Sequence, residues 1–128
     1  MKRLLILLLL TTWLTLPVRA EKWALLVGIN NYPNDISPLR YCVADVEAFR
    51  QALVNVAGFK EDKVFLMTDD MTGQMEPTNI NVIMRLGILA KQIQPEDTFV
   101  FYFSGHSIVN DGSSFLLVAN SDTVTREP

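Results

Sequence analysis

The chain has 128 residues, 49% hydrophobic and 20% charged, with 11 Lys+Arg against 14 Asp+Glu for a formal charge of −3. That is one small domain with enough apolar matter to fold, which excludes disorder, and its acidity argues against nucleic acid or an anionic membrane surface as partner. One cysteine, Cys42, excludes an internal disulfide framework and any multi-thiolate zinc site.

The first twenty residues read as an address. Met1-Lys2-Arg3 gives a positive start, Leu4 to Leu16 is an apolar run broken by three threonines, and Pro17-Val18-Arg19-Ala20 follows. This is the pattern of a secretory signal peptide cleaved after Ala20. The apolar run is short of the about 20 residues that span a hydrocarbon layer, so a retained anchor is not expected. Residues 21–128 are then expected as an exported domain, periplasmic or extracellular, with no membrane contact after cleavage. The leader carries three bases and no acid, so its removal takes the charge from −3 to −6.

Trp23 to Ile29 is a continuous apolar run, the mark of a strand buried on both faces. Residues 30–38, rich in Asn, Pro, Asp and Ser, form a loop. Residues 43–56 read as a helix with Val46, Phe49, Leu53 and Val56 on one stripe, ended by Gly58 in a left-handed cap. Residues 64–67 form a second strand, closed by Thr68-Asp69-Asp70. Thr78 caps a helix running to about Ile93, with Val82, Leu86, Leu89 and Ile93 on its apolar face and Pro95 beyond it. Residues 98–103 are a third strand, apolar without alternation, and residues 115–118 a fourth short extended piece. Strand and helix alternate, which predicts an α/β fold with a mainly parallel sheet. Ligands and catalysts in such sheets sit beyond the carboxyl ends of the strands, here residues 28–32, 68–70 and 104–107.

His106, the sole histidine, lies just past the third strand, after a glycine that allows a sharp turn. A neutral imidazole there can take a proton from a thiol or hydroxyl and return it to a leaving amine; the plain alternative is a structural residue capping the strand. Asp69-Asp70 is a solvated turn or a cation site, although an oxygen cage needs six or more ligands. Met67, Met71, Met75 and Met84 read as gap-filling apolar residues rather than a metal site.

Three blocks in order carry a resemblance: Ala24-Leu-Leu-Val-Gly-Ile-Asn-Asn-Tyr32, Leu39-Arg-Tyr-Cys-Val-Ala-Asp45, and Phe99-Val-Phe-Tyr-Phe-Ser-Gly-His106. Together they resemble the caspase-like cysteine peptidases, in the bacterial metacaspase and paracaspase branch. The likeness runs from about Trp23 to Val118 and covers the first half of that domain. It implies a three-layer α/β/α fold, incomplete at its C-terminal side, and a peptide or protein substrate. It implies that His106 is the catalytic histidine, partner of a cysteine nucleophile. Asp45 resembles the acid of an Arg/Lys-selecting pocket, a task suited to a buried carboxylate; the alternative is an acid complementing a helix dipole. Ser107 stands where the family has a glycine whose N–H helps bind the oxyanion. Serine keeps the N–H but would cost about 1 kcal/mol or more at positive φ.

The family's nucleophile follows the histidine by several dozen residues, on a strand that pairs with the outer edge of the third strand. Here 22 residues follow His106 and none is cysteine. Cys42, although near a helix start, reads as a small buried hydrophobe. The chain is therefore expected to be an inactive part of a peptidase. The competing readings are a non-catalytic module that binds a partner through an open sheet edge, and a small α/β receiver domain with Asp69-Asp70 as its acidic site. Residues 98–103, left as an edge, predict self-association. Some relatives need calcium through acidic residues past the matching blocks, so no metal ligand is assigned.

Overall fold

A computed structural model describes residues 19–121; the expected signal segment, apart from Arg19 and Ala20, lies outside the described residues. Strand β1 (Lys22–Gly28), helix α1 (Cys42–Asn55), strand β2 (Val64–Thr68), helix α2 (Asn79–Gln92) and strand β3 (Thr98–Ser104) follow in the expected order. β1 pairs in parallel with β2, Ala24 opposite Val64, and with β3, Lys22 opposite Thr98. The sheet order is β2-β1-β3, with the most apolar strand in the centre.

The period-two alternation of β1 divides the core into two layers. Trp23, Leu25, Val27 and Ile29 meet Met67, Val82 and Leu89 on the α2 side. Ala24 and Leu26 meet Val46, Leu53, Phe59 and Val64 on the α1 side. The result is the three-layer α/β/α arrangement expected from the sequence. Leu25 and Leu26 are fully buried, so truncation of either to alanine costs about 2–5 kcal/mol.

Both helix starts are capped, one of them from a distance. Thr78 Oγ accepts the Asn81 N–H at 3.4 Å, and Asn120 Oδ1 accepts the Asn79 N–H at 2.9 Å. Tyr41 offers α1 no side-chain cap. Instead Asn30 Oδ1, in the loop after β1, accepts the Cys42 N–H at 2.9 Å and the Val43 N–H at 3.4 Å. That bond fixes the start of α1 at the carboxyl end of the sheet. Gly58 has φ of +73°, as the expected cap requires, while Val56, beyond the end of α1, is exposed rather than on the buried stripe.

Two strand expectations need correction. The fourth extended piece is not residues 115–118 but one arm of a hairpin, β4 (Ser107–Asn110) with β5 (Ser113–Leu116), paired antiparallel. Its two-residue turn has φ of +47° at Asp111 and +76° at Gly112, the mirror-image geometry that an Asp-Gly pair favours. β3 is likewise not covered on both faces, since Phe99, Phe101 and Tyr102 are 38%, 40% and 36% exposed. Helix α2 packs on β1 and β2 and leaves an open apolar groove of about 530 Å³ against β3, lined by Leu86, Leu89, Ala90, Ile93 and Phe99 among others. The outer edge of β3 has no partner strand among the described residues.

Candidate active site

His106 sits between the end of β3 and the start of β4, on the rim where β1 also ends. Gly105 makes this possible, because a Cβ there would collide with the Tyr32 hydroxyl and the Phe103 ring. The Tyr32 hydroxyl occupies that space and accepts the His106 backbone N–H at 2.9 Å. Its ring lies 5.1 Å from the imidazole centroid, tilted by 57°. His106 Nε2 is 2.8 Å from the Ser37 carbonyl oxygen. A carbonyl only accepts, so Nε2 carries a proton, and in the neutral ring the lone pair is on Nδ1. Burial pushes the Tyr32 phenol above its ordinary value, with the His106 N–H pulling the other way. The phenol is therefore a neutral acceptor at physiological pH.

The loop that carries Tyr32 and Ser37 is held from β2. Asp69 accepts the Asn30 N–H at 2.9 Å, the Asn31 N–H at 2.9 Å and the Asn31 side-chain amide at 2.8 Å. Leu39 N–H donates to Asn30 O at 2.7 Å and closes the loop. Asp69 is thus a half-buried clamp rather than part of a solvated turn, because both its oxygens are committed to this loop. Asp70 accepts the Thr68 hydroxyl. Asp69 is thus taken up by the loop, which speaks against Asp69 as a receiver site. Among the described residues no three His, Cys, Asp or Glu side chains gather as a metal site.

Asp45 lies in the first turn of α1 and is exposed, not the buried carboxylate expected, because α1 begins at the rim of the sheet. Ser104 Oγ donates to Asp45 Oδ2 at 3.4 Å, which brings the acid over the end of β3. Ser107 opens β4, is exposed, and does not have positive φ. The feared strain of a non-glycine residue is absent there. Cys42 is 8% exposed at the start of α1. One rim thus carries Tyr32, Ser37, Asp45, Ser104, His106 and Ser107. Sequence reasoning placed His106, Asp45 and Ser107 but missed the roles of Tyr32 and Ser37; the glycine before His106 was the available hint that another side chain needed the space.

Comparison with known proteins places the chain in a family. A family profile described as metacaspase, peptidase C14 domain, matches residues 22–122. Metacaspase-1 of Yarrowia lipolytica is 41% identical over 87 residues, 67% of this chain and 19% of the relative. Metacaspase-1 of Schizosaccharomyces pombe is 35% identical over 89 residues, 69% of this chain and 21% of the relative. Metacaspase-9 of Arabidopsis thaliana is 34% identical over 88 residues, 67% of this chain and 27% of the relative. The matched region spans about a fifth to a quarter of the length of these curated relatives. With the profile matching most of the chain and the sheet of the expected α/β form, the chain belongs to the metacaspase family of caspase-like cysteine peptidases.

Proposed function

We propose that this chain supplies the histidine-bearing part of a caspase-like endopeptidase and is inactive by itself. The observation that carries this reading is the ring of His106, whose Nε2 faces the Ser37 carbonyl at 2.8 Å, an arrangement that puts the lone pair of the neutral ring on Nδ1. In a completed site, Nδ1 accepts the proton of a cysteine thiol and the thiolate attacks the scissile carbonyl. The tetrahedral oxyanion is stabilised by backbone N–H groups, that of Ser107 among them. Collapse breaks the C–N bond, and the Nδ1 proton passes to the leaving amine. Water then cleaves the acyl-enzyme by the same route. Asp45, an exposed carboxylate on the same rim, selects an Arg or Lys side chain next to the scissile bond. The only thiol of the chain, Cys42, is buried, so the nucleophile comes from polypeptide outside this sequence. The basic start and apolar run of residues 1–20 support export, and no metal enters the reading.

Incubating the 128-residue chain with Arg- and Lys-terminated fluorogenic peptides tests this. Turnover no higher than that of a His106→Ala variant is expected, and a nucleophile-bearing segment added in trans brings His106-dependent hydrolysis. Turnover by the chain alone that disappears in Cys42→Ala would reassign the nucleophile. One observation favours a second reading, a non-catalytic module: an edge of β3 unpaired among the described residues, with three half-exposed aromatic rings. Partner binding that survives His106→Ala separates the two.

A further inference from the structure

We infer that Tyr32 is a positioning residue for His106, selecting the tautomer of the imidazole by fixing both the backbone and the face of the ring. Three observations converge. The Tyr32 hydroxyl accepts the His106 N–H at 2.9 Å, across 74 positions of sequence. Its ring packs on the imidazole at 5.1 Å with a 57° tilt, which limits rotation of the side chain. Gly105 lacks the Cβ that would expel the hydroxyl. With the backbone anchor and the ring contact in place, the imidazole adopts an orientation in which Nε2 reaches Ser37 O at 2.8 Å. The loop that brings Tyr32 and Ser37 to this place is held by Asp69 through the Asn30 and Asn31 N–H groups. Tyr32 is also held neutral, because burial raises its phenol. It anchors His106 without exchanging protons with it. This rests on the proposed role of His106 in proton transfer, but its test does not.

The sole histidine of the chain gives a single imidazole signal pair in nitrogen-15 NMR of the labelled full chain. In the native protein with a neutral imidazole, the Nε2–H tautomer is expected to dominate. Tyr32→Phe keeps the ring and removes the acceptor; the tautomer ratio then falls about fivefold, the factor of one ordinary hydrogen bond. Exchange of the His106 amide proton rises with it. Gly105→Ala, which displaces the hydroxyl without altering Tyr32, moves the ratio the same way and serves if Tyr32→Phe fails to fold. Asp97→Asn weakens the opposite end of the sheet and leaves the ratio in place. A native ring without excess of Nε2–H, a ratio untouched by Tyr32→Phe, or an equal change in Asp97→Asn overturns the inference. None of these results bears on whether a completed site cleaves peptides, so the two readings fail separately.

Discussion

Two glycines with the same missing side chain carry opposite predictions. At Gly28 a Cβ would stand 2.6 Å from both the Cys42 carbonyl oxygen and Val46 Cγ2. Gly28→Ala therefore pushes α1 off the sheet and costs about 1–3 kcal/mol, the usual range for overpacking. At Gly87, within α2, nothing lies within 4 Å of the added carbon. Gly87→Ala gains about 0.5–1 kcal/mol of helix stability. Thermal unfolding reads both, with a lower midpoint for the first and a higher one for the second. Carboxylates at the other end of the sheet set an acid limit. Hydrogen bonds from the Gln94 and Glu21 N–H groups hold Asp97 below 3.8, and one from Lys60 holds Glu21 below 4.5. A folded value below the unfolded one stabilises fully above the ordinary pKa and is lost as pH falls through the folded value. Thermal midpoints should decline as pH drops below 4.5 and again below 3.8, and Asp97→Asn should remove the second decline. At this scale the sequence was legible where chemistry is local. His106 could be found from its place after a strand. Tyr32 and Ser37 could not be assigned, since they meet it across 74 and 69 positions and no short pattern records that meeting.

The hairpin shows how one element controls another. Leu117 N–H donates to His106 O at 2.9 Å, so the foot of β5 is tied to the His106 backbone. The hairpin turn needs positive φ at Gly112; Gly112→Val costs about 1–2 kcal/mol there and loosens that tie. Amide exchange at Leu117 should accelerate while the amides of β1 keep their protection. Equal acceleration at both would mean that the hairpin is part of the global unfolding unit. Asp111-Gly112 is a pair this turn favours but was not read as one, because residues 107–110 mix Ser and Asn with two aliphatics and give no strand pattern to pair across it. The opposite failure occurred at β3. Its apolar run is as continuous as that of β1, so periodicity alone covers both strands on two faces. What separates them is tertiary: α2 lies over Met67 and Leu25, and Phe99 and Phe101 remain half exposed. The apolar face of α2 was readable because Val82, Leu86, Leu89 and Ile93 recur at helical spacing. The same helix also exposes Ile80, Ile83, Met84 and Ile88, which no single-stripe reading anticipates.

At the scale of the whole molecule, the open edge of β3 predicts self-association in solution. Thr98 N–H donates to Glu21 O, and Ser104 O accepts from Ile29 N–H. Even-numbered residues of β3 therefore turn their backbone groups toward β1, and Phe99, Phe101 and Phe103 turn theirs outward. Thr98–Ser104 contains no charge and no proline, the devices by which natural edges resist pairing. A second copy added antiparallel about Phe101 is self-complementary, each Phe101 facing its counterpart across a two-fold axis, and yields one six-stranded sheet. The same groups are the ones that a nucleophile-bearing strand would use, so self-association and completion of the site are competing occupations of one edge. Analytical ultracentrifugation of the full chain should show concentration-dependent dimers. Phe101→Pro removes an N–H that β1 does not use and should abolish the dimer while a cooperative thermal transition persists, since proline is tolerated on a strand edge. A segment that restores His106-dependent hydrolysis should dissociate the dimer in proportion to the activity gained. A chain that stays monomeric at every concentration, or hydrolysis that appears with the dimer intact, would show that the edge is not the shared surface.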